Sequence, residues 1–194
     1  MYERFRRLCE IPSITEDERV VQDAIAAELR EMGYEVTEDD AAGPARAGAG
    51  NLTCRIPAAG SALEDEGPWT MFAAHVDTVP HEGTIEVIEE DGVFLSAGDT
   101  ILAADNKAAV TVLMEMAAIW AEGDGPPAGV ELLFTVAEEQ GLRGAHAYDV
   151  SSLKSDTGFV LDHATPIGEV ITAAPTYKKP VSYTHLTLPT NREV

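Results

Sequence analysis

Three short apolar runs, each followed within two residues by an acid, constrain this chain more than any other feature. They are Trp69–Val76 (WTMFAAHV), Val130–Val136 (VELLFTV) and Gly158–Leu161 (GFVL). Their length and nearly continuous apolar character predict buried strands. Between the first two lies Asn106–Trp120, apolar nearly all round through Val110, Leu113, Met114, Met116 and Ala117. That pattern predicts a buried helix. Strand, helix, strand in this order predicts an α/β fold, a mixed, mainly parallel sheet flanked by helices with right-handed crossovers.

The remaining elements are shorter. Phe5, Leu8 and Cys9 recur at helical spacing until Ile11-Pro12 breaks the segment. Thr15 followed by Glu18 predicts a capping box. The helix it opens carries Val21, Ala24, Ile25, Leu29 and Met32 and stops at Gly33. Tyr34–Thr37 and Asn51–Ile56 read as short strands separated by a small-residue loop, Ala41–Gly50, and Glu64–Pro68 reads as an exposed loop. Ile85–Glu90 and Val93–Ser96 flank Asp91-Gly92, a hairpin signal. No internal repeat is visible.

At 194 residues the chain is long enough for one well-buried domain. A net charge of -21 disfavours binding to nucleic acid or to an anionic membrane surface. No stretch approaches the ~18 apolar residues of a membrane span. Glu3, Arg4, Arg6 and Arg7 interrupt any signal-peptide core. Cys9 and Cys54 lie far apart and form no C-x-x-C pair. The expected location is therefore cytoplasmic, with both thiols reduced.

His75 and Asp77 lie at the end of the first run, Glu138 and Glu139 just past the second, and Asp162 directly after the third. In an open α/β sheet the ligand crevice lies outside the carboxyl ends of the strands, so all of them are delivered to one edge. Asp105, just before the helix, can be aimed at the same edge. Taken singly each has a plain structural role: His75 as a satisfied strand histidine, Glu138 and Glu139 as a solvated turn, Asp105 as a helix cap and Asp162 as a loop carboxylate. Together, so many carboxylates are costly unless cations neutralise them. Mixed imidazole and carboxylate donors suit a pair of divalent ions, zinc first, with cobalt or manganese as alternatives.

Four blocks sharpen this. His75-Val76-Asp77-Thr78, Ala104-Asp105-Asn106-Lys107-Ala108, Phe134 through Leu142 and Val160-Leu161-Asp162 occur in that order. The ordered set resembles the co-catalytic zinc exopeptidase superfamily that includes carboxypeptidase G and acetylornithine deacetylase, and within it the peptidase T-like branch. Leu8-Cys9-Glu10-Ile11-Pro12-Ser13 and Ala173-Ala174-Pro175-Thr176 are similar to further family segments, so the resemblance spans residues 1 to about 179. It implies an incomplete zinc-exopeptidase-like catalytic domain that cleaves short peptides as an aminopeptidase. The alternatives are an N-acyl amino acid deacylase, a carboxypeptidase, or a non-catalytic metal-binding module. It further implies that His75 and Asp162 hold one ion, Asp105 bridges both and Glu139 holds the second. Asp77 orients His75, Glu138 acts as general base, and the peptide after Asp105 is cis.

The pattern is not fully met. Ala103 and Ala109 stand where the family often has glycine. The second ion's histidine comes, in the family, from a segment that follows a lid domain, and neither is expected here. The family's homodimer would form through that lid. The expected organisation is a partial catalytic domain over 1–175, the start of a crossing at 176–180 and a non-native tail over 181–194. From Val170 through Arg192 there is no Asp or Glu although the sequence holds 34, and Val181–Val194 resembles translated adapter sequence. Low or no activity is expected of the 194-residue chain itself. His81, His146, His163 and His185 read as surface or loop histidines. Gly48-Ala49-Gly50 lacks the third glycine of a dinucleotide loop, and neither an H-E-x-x-H nor a G-x-S-x-G motif is present.

Overall fold

The chain, described by a computed structural model over residues 1–63, 67–164 and 166–173, opens with α1 (Tyr2–Glu10), which buries Phe5, Leu8 and Cys9 as their spacing predicts. In α2 (Arg19–Glu31) the buried residues are Val21, Gln22, Ile25, Ala26 and Leu29, and the helix ends just before Gly33. There follow β1 (Glu35–Glu38), α3 (Ala42–Ala45), β2 (Leu52–Ile56), β3 (Trp69–His75), and the hairpin β4 (Val87–Glu90) and β5 (Val93–Ser96). Next come α4 (Ala104–Glu122), β6 (Gly129–Thr135), α5 (Arg143–Ala147), a single 3-10 turn at Val150–Ser152, and β7 (Thr157–Val160). At the hairpin, Asp91 and Gly92 both take positive φ (51° and 78°), as a tight type I′ turn requires.

The main sheet has the order β1-β2-β6-β3-β7. β3 pairs parallel with β6 on one side and β7 on the other, while β2 is antiparallel to both β1 and β6. Four strands therefore run one way and only β2 runs against them, which is the mixed, mainly parallel sheet expected. The consequence for function is direct: the carboxyl ends of β6, β3 and β7 lie side by side.

One face of the sheet supplies Leu52, Cys54, Ile56, Ala74, Leu132 and Phe134 to a core shared with Leu8, Ile25, Leu29, Leu113 and Met114 of the helices. Several of these, including Leu8, Ile25, Leu29, Leu113 and Phe134, are wholly excluded from solvent. Each such side chain contributes about 1.5–3 kcal/mol of hydrophobic stabilisation. A smaller core joins Phe5 and Cys9 to Ile85, Val87 and Ala103, and there Phe94 meets the Phe5 ring at 5.0 Å. On the other face Met71, Ala73 and His75 alternate with the core residues, as the two-residue period of a strand demands. They line a cavity of about 340 Å³ together with Leu142, Tyr148 and Leu153.

Several expectations are corrected. Thr15 and Glu18 form no capping box: the N-terminus of α2 has no side-chain cap, and both side chains turn inward to partners distant in sequence. The Ala41–Gly50 segment is not all loop, because Ala42–Ala45 makes one helical turn. α4 is buried on one face only, with Val112 and Ile119 exposed on the other. β7 is not a buried strand. It stands at the sheet edge with Phe159 and Val160 exposed, which an apolar run read without its neighbours does not reveal.

The chain divides into two compact units, Met1–Asp162 and His163–Val194, and every element above belongs to the first. In the second, His163 Nε2 lies 3.1 Å from Glu169 Oε2. The expected crossing at 176–180, the tail over 181–194 with its His185, Ala174-Pro175-Thr176, and residues 64–66 of the Glu64–Pro68 loop fall outside the described residues.

Candidate metal centre

His75 is the last residue of β3 and is 3 % exposed, with its ring turned away from the helical core. Its Nε2 lies 3.1 Å from Asp105 Oδ1, 3.7 Å from Asp162 Oδ1 and 4.0 Å from Glu138 Oε2. Donor atoms of His75, Asp105 and Glu139 lie within 4.8 Å of one another, and so do those of His75, Glu138 and Asp162. Ligand atoms about 2.0–2.2 Å from a common zinc stand roughly 3–3.5 Å apart, so small side-chain movements would close either group on an ion. All five anticipated side chains thus converge. Their grouping differs from the anticipated ligand shells: Glu138, read as base, stands with His75 and Asp162, while Glu139, expected on the other ion, stands with His75 and Asp105, and Asp105 belongs to that group alone.

The backbone explains the convergence. Asp105 enters from the start of α4, where Ala103 has φ 61° and the Asp105–Asn106 peptide is cis, as the family resemblance implies. The left-handed φ at Ala103 shows why a glycine suits that position, whereas Ala109 lies in the regular part of α4. Asn106 donates from Nδ2 to the carbonyl oxygen of Leu161 at 2.6 Å, tying this loop to the residue before Asp162. The side chain of Lys107 is fully buried and donates to Ser13 Oγ (2.7 Å) and to the Leu8 carbonyl (3.3 Å).

Asp77 is fully buried and does not stand among the ligand groups. Its Oδ2 accepts from Thr15 Oγ1 at 2.7 Å and from the Glu139 amide at 3.2 Å, and its Oδ1 accepts from the Glu138 amide at 2.9 Å. The Nδ1 of His75 lies 3.0 Å from the Asp77 main-chain oxygen and 3.5 Å from its carboxylate. Either contact favours a proton on Nδ1 and leaves Nε2 facing the cluster. Sequence reasoning missed Thr15, Glu18, Asn51, Asn106 and Lys107 as supports. Asn51 is the clearest of them, since it accepts from the Val136 amide and donates to the Gly144 carbonyl.

The electrostatics are those of a cation site. Burial pushes the carboxyls of Glu138, Glu139 and Asp162 up; His75 opposes this, and neighbouring carboxylates add to it. Burial disfavours a charged His75, but Asp77, Glu138 and Asp162 outweigh it and raise the imidazole to about 9. Burial also opposes the charge of Asp77, yet His75, the Glu138 amide and Thr15 hold its carboxyl below the usual range. Among the described residues no lysine or arginine forms an ion pair with Asp105, Glu138, Glu139 or Asp162. A donor set of one imidazole and four carboxylates with no paired lysine or arginine fits divalent ions.

Comparison with known proteins agrees with this chemistry. The sequence profile of peptidase family M28 matches residues 51–178, and the chain belongs to that family. It is 33% identical over 179 residues to the uncharacterized protein YqjE of Bacillus subtilis (strain 168), covering 92% of this chain and 47% of that protein. Among solved structures it resembles aminopeptidase PepT from Bacillus cereus ATCC 10987, with a TM-score of 0.76 at 33% identity over 84% of this chain and 42% of that one. A tripeptidase from Staphylococcus aureus gives a TM-score of 0.76 at 31% identity, covering 84% and 43%. The peptidase T-like resemblance read from the motifs is borne out. The chain spans less than half the length of these three relatives.

Proposed function

We propose that the whole protein is a metallo-exopeptidase that removes residues from short peptides, in the manner of a peptidase T-like aminopeptidase. One observation carries this reading: His75, Asp105, Glu138, Glu139 and Asp162 converge at the adjoining carboxyl ends of three parallel strands. His75, Asp105 and Asp162 would hold one divalent ion, with Asp105 and Glu139 holding a second. Zinc suits these donors best. When bound, the ions supply Lewis-acid polarisation of the scissile carbonyl and acidify a water. Glu138 takes a proton at its carboxylate and returns it to the leaving amine, a role its raised affinity for protons supports. Asp77 keeps His75 in the tautomer that offers Nε2.

The N-acyl amino acid alternative and dimerisation through a lid rest on the family resemblance alone. A cytoplasmic setting is supported by two free, buried cysteines. Among the described residues no helix is long and apolar enough to cross a membrane.

The test is an assay of the whole protein with tripeptides and N-acetyl amino acids, with zinc and after chelation. Tripeptide hydrolysis should vanish on chelation and return with metal. Glu138→Ala should lower kcat by about 10²–10⁴-fold while zinc still binds. Hydrolysis that survives complete metal removal, or that persists in Glu138→Ala, would sink the mechanism.

A further inference from the structure

Glu18 is wholly buried, yet among the described residues it pairs with no lysine or arginine. Its carboxylate instead receives backbone amides, two of them from segments far along the chain. Gly48 N donates to Oε2 at 2.6 Å and Ala137 N donates to Oε1 at 3.2 Å. The next two amides of the same turn, those of Glu138 and Glu139, go to the Asp77 carboxylate. Three successive N–H groups are therefore each aimed at a buried carboxylate. Ala137 itself has φ 51°, in the left-handed region that a residue with a Cβ disfavours, so the turn needs outside support. The Gly48 segment supplies the other side of the brace. A Cβ there would come within 2.7 Å of the Glu18 amide and 2.8 Å of the Glu16 carbonyl, so only glycine allows this approach.

We propose that Glu18 is a positioning residue: its carboxylate clamps the Ala137 amide against the Gly48 loop and so fixes the turn that presents Glu138 and Glu139 to the metal centre. This rests on the reading of those two residues as base and ligand. Charge and reach are both needed. A glutamate offers two acceptor oxygens, whereas a glutamine of nearly equal size offers one and turns an NH₂ toward the other amide.

The test compares the 194-residue chain with its Glu18→Gln and Leu29→Ala variants by hydrogen exchange and by Co²⁺ titration. Leu29 is a fully buried core residue and serves as a control for general loss of stability. Glu18→Gln should speed exchange of the 137–139 amides by about tenfold, with little change elsewhere. It should also weaken Co²⁺ binding about tenfold and alter the visible spectrum of the bound cobalt. In Leu29→Ala, exchange should rise across the core while Co²⁺ affinity holds. Unchanged exchange at 137–139 in Glu18→Gln overturns the proposal, whatever cobalt does. An equal loss of cobalt affinity in Leu29→Ala overturns it too, by reducing Glu18 to a general stabiliser. If the parent chain takes up no cobalt, the metal reading fails, while the exchange measurement still decides whether Glu18 clamps the turn.

Discussion

Asp77 sits behind the candidate ligands and organises them through three donors, the Thr15 hydroxyl and the amides of Glu138 and Glu139, besides lying near His75 Nδ1. A buried carboxylate with that many donors stays ionised, which is why its carboxyl lies below the usual range despite burial. Asp77→Asn keeps the shape but leaves one acceptor oxygen where there were two, so an NH₂ must face an amide or hydroxyl donor. One unmatched buried group costs about 1–3 kcal/mol. Metal affinity should fall by about 10–100-fold, the usual effect of losing the partner that orients a ligating histidine. Urea unfolding and calorimetric zinc titration measure the two effects separately. Wild-type zinc affinity in Asp77→Asn would remove Asp77 from any role in orienting His75.

Element by element, what positions the site also reaches beyond local sequence. Glu131 lies in the middle of β6, is fully buried, and joins three parts of the chain. It pairs with Arg55 of β2 at 2.9 Å and accepts from the amides of Lys154 and Ser155 and from Ser155 Oγ, just before β7 begins. It thereby sets where β7 starts, and so where Asp162 emerges. Burial raises the carboxyl of Glu131, but Ser155, Arg55 and the Lys154 amide together hold it below its ordinary 4.5. A carboxylate depressed on folding contributes stability that is complete above its ordinary value and fades as pH falls through the lower folded-state value. Glu131→Gln should therefore cost about 2–3 kcal/mol at pH 7, with the gap to wild type narrowing near pH 3. Urea midpoints at the two pH values check this, and a gap that does not narrow refutes it. The three strand ends were legible because an apolar run and the acid or imidazole at its end are contiguous in sequence. The supports were not. Glu18 meets Ala137 across 119 positions and Asn51 meets Val136 across 85, so Thr15 and Glu18 looked like a local cap although their partners lie far along the chain. Whether β7 was central or at an edge likewise depended on which strands would flank it. A five-residue helix such as α5 carries too few apolar positions to show a period.

For the molecule as a whole, the candidate centre is where fold and charge conflict. The net charge is -21, and four carboxylates gather around one imidazole at a single sheet edge. The fold tolerates this because β6, β3 and β7 are pinned by their ladders and by the core beneath them, which holds the backbone at their carboxyl ends together. The carboxyls of Glu138, Glu139 and Asp162, pushed up by burial and by neighbouring carboxylates, reflect that cost. A divalent cation at this point replaces mutual repulsion with attraction and binds the folded state alone, since the unfolded chain scatters its donors over residues 75 to 162. Linkage then fixes the size of the effect. Zinc at 100 times its Kd should stabilise the folded chain by about 2.7 kcal/mol. For a unit of this size that corresponds to a rise in Tm of roughly 5–10 °C. A thermal melt followed by circular dichroism should show the rise with zinc and its loss with a chelator, and neither change in His75→Ala. A wild-type Tm indifferent to both additions would mean that the carboxylates share an edge without sharing an ion.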